Sequence, residues 1–472
     1  MDRTTVILVT LVAYKVVLLA IGLIAERRTR DESDFLLGGR RLGPLVTAIS
    51  ASASSSSVWT LLGVSGYAYR KGLSAVWLFP ACVGGFAINW FLVGPRLRRA
   101  SADADACTVT DLLAGPARGP GFGVPRIVAS AILIFCLTTY VASQFQGAGK
   151  SFQTTFGLDP VASVLIGSAI VVIYTVLGGF WAVSLTDTLQ GLWMAGTAIA
   201  LPVAALTAVG GFSALGQGIA AVDVPGFGDL LGGADPGTGA LAVLALFGIG
   251  LGYPGQPHVV NRFMAVRGEA ELRRARVYAM CWAVAVYAGM IVLGLCGRVL
   301  HASAIADAEQ AFFTLADQLF PAVVSGVMVA AVLSAIMSTA DSQLLVAASA
   351  ASHDLGWKGR SAAGTLLRSR LVVLLVSVLA VALALTADDT IFGSVLFAWS
   401  ALGAAFGPLL VITLWRGPVS ARATTVAMIV GAGYSVTAYL DPAWKGGIHE
   451  RVLPFLAALA VAWMGSKPRP AR

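Results

Sequence analysis

The chain has 472 residues, 57% of them hydrophobic and 12% charged, with a mean hydropathy of +0.82. Soluble proteins carry roughly 25% charged residues, so these values exclude an ordinary cytosolic or secreted enzyme. They equally exclude a disordered chain, which needs low hydrophobicity and high charge. The net charge of +8 is no nucleic-acid signal, because the basic residues sit in short loops between apolar stretches. Five cysteines (Cys82, Cys107, Cys136, Cys281 and Cys296) make neither a disulfide framework nor a zinc spacing. They read as small buried apolar residues.

A membrane-crossing helix takes about 20 apolar residues. Such stretches occur at 5–25, 44–66, 74–94, 125–148, 159–178, 185–209, 237–256, 277–297, 318–350, 369–386, 390–415, 423–440 and 450–465. The composition therefore predicts an all-α integral membrane protein with about thirteen transmembrane helices in a lipid bilayer. No gap is long enough for a soluble domain, so 1–472 reads as one membrane domain. The first stretch is too long for a signal-peptide core and is followed by Glu26-Arg27-Arg28 rather than a cleavage site. Of the 32 Lys and Arg, 24 fall in loops after odd-numbered spans or at the C-terminus and 7 on the other side, with Lys15 inside the first span. Basic loops stay cytoplasmic, which places the N-terminus outside and the C-terminus inside a cell (inner) membrane. The loop 210–236 carries Asp223, Asp229 and Asp235 without Lys or Arg and reads as a solvated external loop.

Two spans read as interrupted. The second, PLVTAISASASSSSVWTLLGVSGY, holds Ser50, Ser52, Ser54, Ser55, Ser56 and Ser57 at a depth where lipid-facing helices carry Leu and Ile. Small residues also serve close helix packing, but that explains so dense a run poorly. The seventh, TGALAVLALFGIGLGYPGQP, holds Gly248, Gly250, Gly252, Pro254, Gly255 and Pro257, which do not sustain a regular helix. Irregular backbone at membrane depth is tolerated where it lines a cavity or is buried in protein. Spaced five spans apart, the two open units of spans 2–6 and 7–11. Paired interrupted helices in inverted repeats point to a transporter's midplane site.

Ionisable groups inside spans are functional hypotheses by default. Asp187 sits in AVSLTDTLQG near the start of span 6, where an acid also suits a helix N-terminus. Asp341 sits in LSAIMSTADSQLLV near the middle of span 9. Ala335, Ser338, Asp341 and Ser342 share a helix face, with Thr339 beside them. Such an all-oxygen donor set suits a hard cation such as Na⁺. Lys15 reads as a snorkelling lysine. No arginine falls inside a span to meet a carboxylate. The histidines His258, His301, His353 and His449 read as scattered over loops, with no metal spacing.

DFLLGGRRLGP, SASASSSSVWTLLG, YTVLGGFWAVSLTDTLQG, GYPGQPHVVNRFMA and AAVLSAIMSTADSQLLVAASA, in this order, resemble the sodium/solute symporter family, and within it the bacterial sodium/proline carriers. The resemblance implies a leucine-transporter-type 5+5 inverted repeat, with core repeats about 44–209 and 237–415 and peripheral helices 5–25, 423–440 and 450–465. It implies Na⁺-coupled symport of a small organic solute, an amino acid such as proline or a related compound, and no enzymatic activity. It places the main sodium site on the backbone oxygens of Ala53, Ser56 and Ala335 and the hydroxyls of Ser338 and Thr339. It places a possible second site on Asp187, Ser338, Asp341 and Ser342, and the solute against Ser57, Tyr140, Tyr253 and Pro257. Arg40 matches a loop arginine that matters in the proline carriers. Two departures stand out. Ser55 replaces an aspartate, for which Asp341 on the facing helix is expected to compensate. Ile249 replaces a tryptophan, which predicts a wider, more apolar pocket and a preferred solute other than proline. The alternative reading is a transporter-like membrane sensor of a small solute acting through a separate partner. Broken helices suit an occluded site better than a channel's continuous pore.

Overall fold

A computed structural model describes residues 1–26, 37–115, 123–177, 180–301, 305–357, 362–386 and 389–468. Among these residues no strand occurs, only the isolated bridges Leu42–Val266 and Val419–Ser466. Arg27, Arg28, Arg30, Arg118, Lys358, Arg360, Arg469 and Arg472 of the charge count lie outside the described residues.

A helix lies over each expected span. The first unit follows the peripheral helix α1 (Arg3–Glu26). It comprises α2 (Pro44–Val58), α3 (Val64–Lys71), α4 (Leu78–Ala87), α5 (Gly94–Asp103) and the short α6 (Val109–Ala114). It continues with α7 (Val124–Phe156), α8 (Pro160–Leu177) and α9 (Phe180–Val209). Span 2 is thus α2 plus α3, joined by a π-type turn over Trp59–Gly63, and span 3 is α4 plus α5, joined by another over Ile88–Val93. The stretch 210–236 is more than a solvated loop. It folds into α10 (Gly211–Ala221), and Phe227 beyond it is buried.

The second unit comprises α11 (Pro236–Gly252), α12 (Pro257–Ala265), α13 (Glu269–Leu300), the short α14 (Ala311–Leu319), α15 (Ala322–Ser349), α16 (Ala362–Thr386) and α17 (Ile391–Trp415). The peripheral α18 (Ala421–Leu440), α19 (Ile448–Arg451) and α20 (Leu453–Met464) close the chain.

Burial separates the helices by role. α17 and α15 are enclosed along nearly their whole length, as expected of central helices apolar all round. α16 instead exposes Leu367, Leu371, Leu375 and Val378, and α1 exposes Val12 and Val16. Exposed apolar faces of this extent suit a hydrocarbon solvent. Cys82, Cys136 and Cys296 are buried as expected, but Cys281 lies on an exposed face.

The second broken span docks on α17 through glycine. A Cβ added to Gly403 would lie 2.6 Å from the Cα of Gly252, and one added to Gly255 would lie 2.6 Å from the Cα of Gly403. Both clashes are with backbone, which does not swing aside. Small residues let helices approach this closely without a hydrophobic driving force. Gly403→Ala is therefore expected to destabilise the detergent-solubilised protein by about 1–3 kcal/mol. Thermal unfolding checks this; an unchanged midpoint contradicts the close packing.

Candidate functional site

Both predicted breaks are present. At the end of α2, Ser57 adopts φ 30 and ψ −178, a left-handed conformation that a side chain disfavours. Tertiary partners satisfy the backbone groups freed there. The Val58 N–H donates to Oε1 of Gln144 on α7 (3.2 Å) and the Trp59 N–H to Oγ of Ser57 (3.1 Å). The Tyr140 hydroxyl, one turn before Gln144, donates to the same Ser57 Oγ (3.4 Å). The serine run thus places a hydroxyl where the helix has lost its own acceptors.

Between α11 and α12, Tyr253–Gly255 forms a single 3-10 turn and Gln256 is extended. Side chains again hold the break. Gln256 Nε2 donates to the carbonyls of Gly252 (3.1 Å) and Trp399 (2.9 Å), and Asn89 Nδ2 to that of Tyr253 (3.0 Å). Pro257, at the first position of α12, is buried and has no N–H to leave unsatisfied.

α15 runs against α2, α7 and α9, bringing most of the predicted ion ligands together. Thr339 Oγ1 lies 3.5 Å from the carbonyl oxygen of Ala53 and 3.3 Å from that of Ser54. Ser338 Oγ donates to the Ala335 carbonyl (3.2 Å), and Ser54 Oγ to the Ser338 carbonyl (3.4 Å). The Ser56 carbonyl accepts the Trp59 N–H and retains a second lone pair. All these residues are fully buried. The seam between α2 and α15 is therefore a belt of oxygens in a site that excludes water.

Ser57 and Tyr140 are joined directly. Tyr253 stands on the other broken helix, its hydroxyl 3.0 Å from that of Tyr287. Its ring meets Trp399 edge-on at 4.8 Å. Trp399 overturns one expectation. Its Nε1 donates to the Ile249 carbonyl (3.0 Å) and its ring covers Gly252. The indole of α17 thus covers the backbone of this turn, and Ile249 is buried rather than lining an open space.

Asp341 overturns another. Its carboxylate is bonded to the Thr175 hydroxyl of α8, and Ser55 Oγ donates within its own helix to the Ser52 carbonyl (2.9 Å). Asp341 therefore points to the flank of α8, away from Ser55, and supplies no carboxylate to the α2 break. The helical period put Asp341 on the face of Ser338 and Ser342, but its side chain turns toward the nearest donor.

Arginine and histidine were misplaced in the loops. Arg262, on α12, is 1% exposed, and Nη2 lies 3.0 Å from Oδ2 of Asp187 and 2.6 Å from Oγ of Ser342. His258, one turn earlier, is fully buried beside Tyr140, with ring centroids 5.9 Å apart, and neither ring nitrogen has a protein partner. The signal for both was present. HVVNR follows the break directly, so the helix resumes at membrane depth and carries His258 and Arg262 on one face. His353 also acquires a setting: it gathers with Asp111 and Asp354, ligand atoms within 4.8 Å of one another. The Arg126 guanidinium binds both acids (2.9 and 3.2 Å) and already takes the place beside them that a cation would need. Arg40 donates to the carbonyls of Met264 (3.0 Å) and Ala106 (2.7 Å), tying its loop to the end of α12.

Comparison with known proteins agrees with this geometry. The family model described as "Sodium:solute symporter family" matches residues 35–431. The osmoregulated proline transporter OpuE of Bacillus subtilis (strain 168) is 35% identical over 98% of this chain and 96% of its own length. The sodium/proline symporter of Salmonella typhimurium is 36% identical over 92% of this chain and 87% of its own. Among solved structures, a Na⁺-coupled sialic acid symporter in a substrate-bound outward-open state superposes with a TM-score of 0.81. It has 17% identity and covers 99% of this chain and 100% of that one. MhsT in complex with L-phenylalanine gives 0.56 at 16% identity, over 90% and 99%. The leucine-transporter-type 5+5 fold implied by the sequence motifs is thus the fold of this chain.

Proposed function

Because this chain belongs to the sodium:solute symporter family, and so is a multi-pass Na⁺-coupled symporter of a small solute rather than an enzyme, we propose that its solute is proline or a closely related small amino acid. The observation that carries this reading is the joined Ser57–Tyr140 pair at the α2 break, with Gln144 and His258 around it. Gln144 Nε2 and both His258 ring nitrogens are buried without protein partners. Buried polar groups are hydrogen-bonded as a rule, so these atoms are ready for a carboxylate or amine. Trp399 and Tyr253, edge-on to each other at the other break, offer an aromatic surface. The named relatives that carry proline agree with a compact zwitterion.

The sodium ion is proposed to bind between the carbonyls of Ala53, Ser56 and Ala335 and the hydroxyls of Ser338 and Thr339. Carbonyl and hydroxyl oxygens replace the hydration shell of a hard cation, and this belt joins the first repeat to the second. Filling it would pull α2 and α15 together, which makes ion binding bear on the solute-holding break next to it. Residues 44–209 and 237–415 are proposed as the two repeats of one transporter domain. The arginine-rich end is proposed to face the cytoplasm of an inner membrane, with the N-terminus outside.

Uptake of labelled proline into proteoliposomes, with competitors, tests this reading. An imposed Na⁺ gradient is expected to drive uptake, and unlabelled proline to compete better than sugars or bulky amino acids. Uptake that follows a proton gradient alone rejects the coupling. Uptake of another solute that excess proline does not reduce rejects the substrate class.

A further inference from the structure

At the arginine-rich end, where α17 stops, two guanidinium groups rest on two tryptophans. Arg96 of α5 lies over the Trp415 ring, its Cζ 4.4 Å from the centroid. The next residue, Arg416, lies over the ring of Trp463 on α20 at 4.0 Å. Trp415 and Trp463 are 43% and 54% exposed. Backbone contacts fix the corner beneath them. Val419 and Ser466 form an isolated bridge, the Ser420 N–H donates to the Gly465 carbonyl (3.0 Å), and the Lys467 N–H to that of Pro418 (3.1 Å). A Cβ added to Gly465 would lie 2.0 Å from that of Ala423, so α20 ends directly against the start of α18. This closure gathers Arg416, Arg422 and Lys467 at one junction.

The positive charge there is not countered by the chain. No Asp or Glu occurs between Asp389 and Asp441 or after Glu450. Among the described residues Arg416 makes no ion pair and no side-chain hydrogen bond, and of its nitrogens only Nε is enclosed. Arg96 donates through Nη1 to the Leu92 carbonyl one turn back (3.2 Å) and meets no acid among the described residues. A guanidinium held over a ring keeps an N–H fork that matches two oxygens of a phosphate. Tryptophan and arginine at the ends of membrane helices mark the headgroup depth of a bilayer. Leu92 and Met464, beside Arg96 and Trp463 in the chain, are exposed as well, on the side where acyl chains lie. A zwitterionic headgroup would bring its own cation to a junction with no acid to receive it.

We propose that Arg96 and Arg416, with Arg422 and Lys467 at the rim, bind the phosphate of an anionic phospholipid whose acyl chains lie along α5 and α20. Basic pockets between helix ends take such headgroups because each cation is attracted to the phosphate at a surface of low dielectric. The bound lipid ties α5 to α17 and α20, which otherwise meet here through the two stacked rings. The site lies on the lipid-facing side, so the inference is independent of which solute is carried and of the sodium coupling.

The test measures lipid binding. Purified full-length protein in a non-ionic detergent is titrated with phosphatidylglycerol or with phosphatidylcholine of the same chains, and lipid adducts are read by native mass spectrometry and unfolding midpoints by thermal denaturation. Phosphatidylglycerol is expected to form a retained adduct and to raise the midpoint by several degrees, less so at high salt, and phosphatidylcholine to do neither. Arg96→Gln combined with Arg416→Gln is expected to weaken phosphatidylglycerol binding by about tenfold or more, since each cation near an anionic headgroup contributes. Arg422→Gln combined with Lys467→Gln, at exposed positions, is expected to weaken it by a smaller factor. Arg273→Gln, exposed on α13, is expected to leave it unchanged. Equal binding of both lipids by the wild type overturns the proposal whether or not any variant folds. So does unchanged phosphatidylglycerol binding in either double variant. An Arg273→Gln protein weakened as much as the first double variant overturns the discrete site in favour of diffuse attraction. Glycerol 3-phosphate that raises the midpoint as far as the lipid does overturns the lipid as occupant in favour of a free anion.

Discussion

Thr339→Ala is expected to raise the Na⁺ concentration for half-maximal uptake by about tenfold or more. The Thr339 hydroxyl is the α15 group that faces the α2 backbone, 3.5 Å from the Ala53 carbonyl and 3.3 Å from that of Ser54. In the proposed sodium site its removal would leave the cation one ligand short, and hydrogen bonds or ligands to a charge are worth about 1.5–3 kcal/mol, of which 1.4 kcal/mol is a factor of ten. Ser338→Ala is expected to act in the same direction. Its hydroxyl is now held by the Ala335 carbonyl at 3.2 Å, a bond it would exchange for the ion. Thr339→Ser keeps the hydroxyl and loses only a methyl group, so it is expected to retain near-normal Na⁺ dependence. Initial uptake rates measured over a range of Na⁺ at fixed membrane potential check all three. A Thr339→Ala protein with unchanged Na⁺ dependence removes Thr339 from the site. Lost uptake with unaltered Na⁺ binding assigns the residue to the transport movement instead.

Arg126→Met is expected to cost about 3–5 kcal/mol of stability, the usual penalty when one partner of a buried ion pair is removed. Arg126 is 1% exposed and bridges Asp111 of α6 to Asp354 beyond the end of α15. Thr108 Oγ1 also donates to Asp354 (3.0 Å), and His353 Nε2 lies 3.0 Å from Asp111. The Asp111 carboxylate further accepts the backbone N–H groups of Cys107 and Thr108 (3.0 and 3.1 Å) in a capping box. Removing the guanidinium leaves two carboxylates facing each other in a buried site. Arg126→Met combined with Asp111→Asn and Asp354→Asn is expected to recover much of the loss, because no charge then remains unpaired. Thermal unfolding in detergent measures both, and a single variant within a degree of the wild type contradicts the bridge.

The same network sets a pH dependence. Burial alone would raise the Asp111 pKa, but the hydrogen bonds and charges of His353 and Arg126 outweigh it and hold the carboxyl well below its usual range. A carboxyl depressed in the folded state contributes stability above its unfolded pKa of about 4. That contribution is lost as pH falls from there through the folded value. The midpoint of the wild type is therefore expected to fall below about pH 4, and that of Asp111→Asn to fall less.

The sequence by itself determined the membrane class, the helix over each span, the two broken spans and the family. Each of these follows from local chemistry. Apolar stretches of bilayer length form helices because lipid offers the backbone no other partner, and the serine run and the glycine-proline cluster of spans 2 and 7 coincide with the two breaks. That Ala335 and Ser338 share a face of α15 follows from the helical period, while their pairing with Ala53 and Thr339 as an ion site was implied by the family resemblance alone. Side chains that reach between helices were settled only by packing. Trp399 is separated by 150 residues from the Ile249 carbonyl it binds, so the sequence of span 7 alone suggested an open pocket. Asp341 was placed on the correct helix, but Thr175 of α8 drew its carboxylate away from Ser55. Arg262 counted among the loop charges because a charge within nine residues of a break reads as the end of a span. Burial beside Asp187 is instead possible because α2, α9 and α15 converge there with enough oxygens to offset the desolvation of a guanidinium, a balance that no single segment reveals.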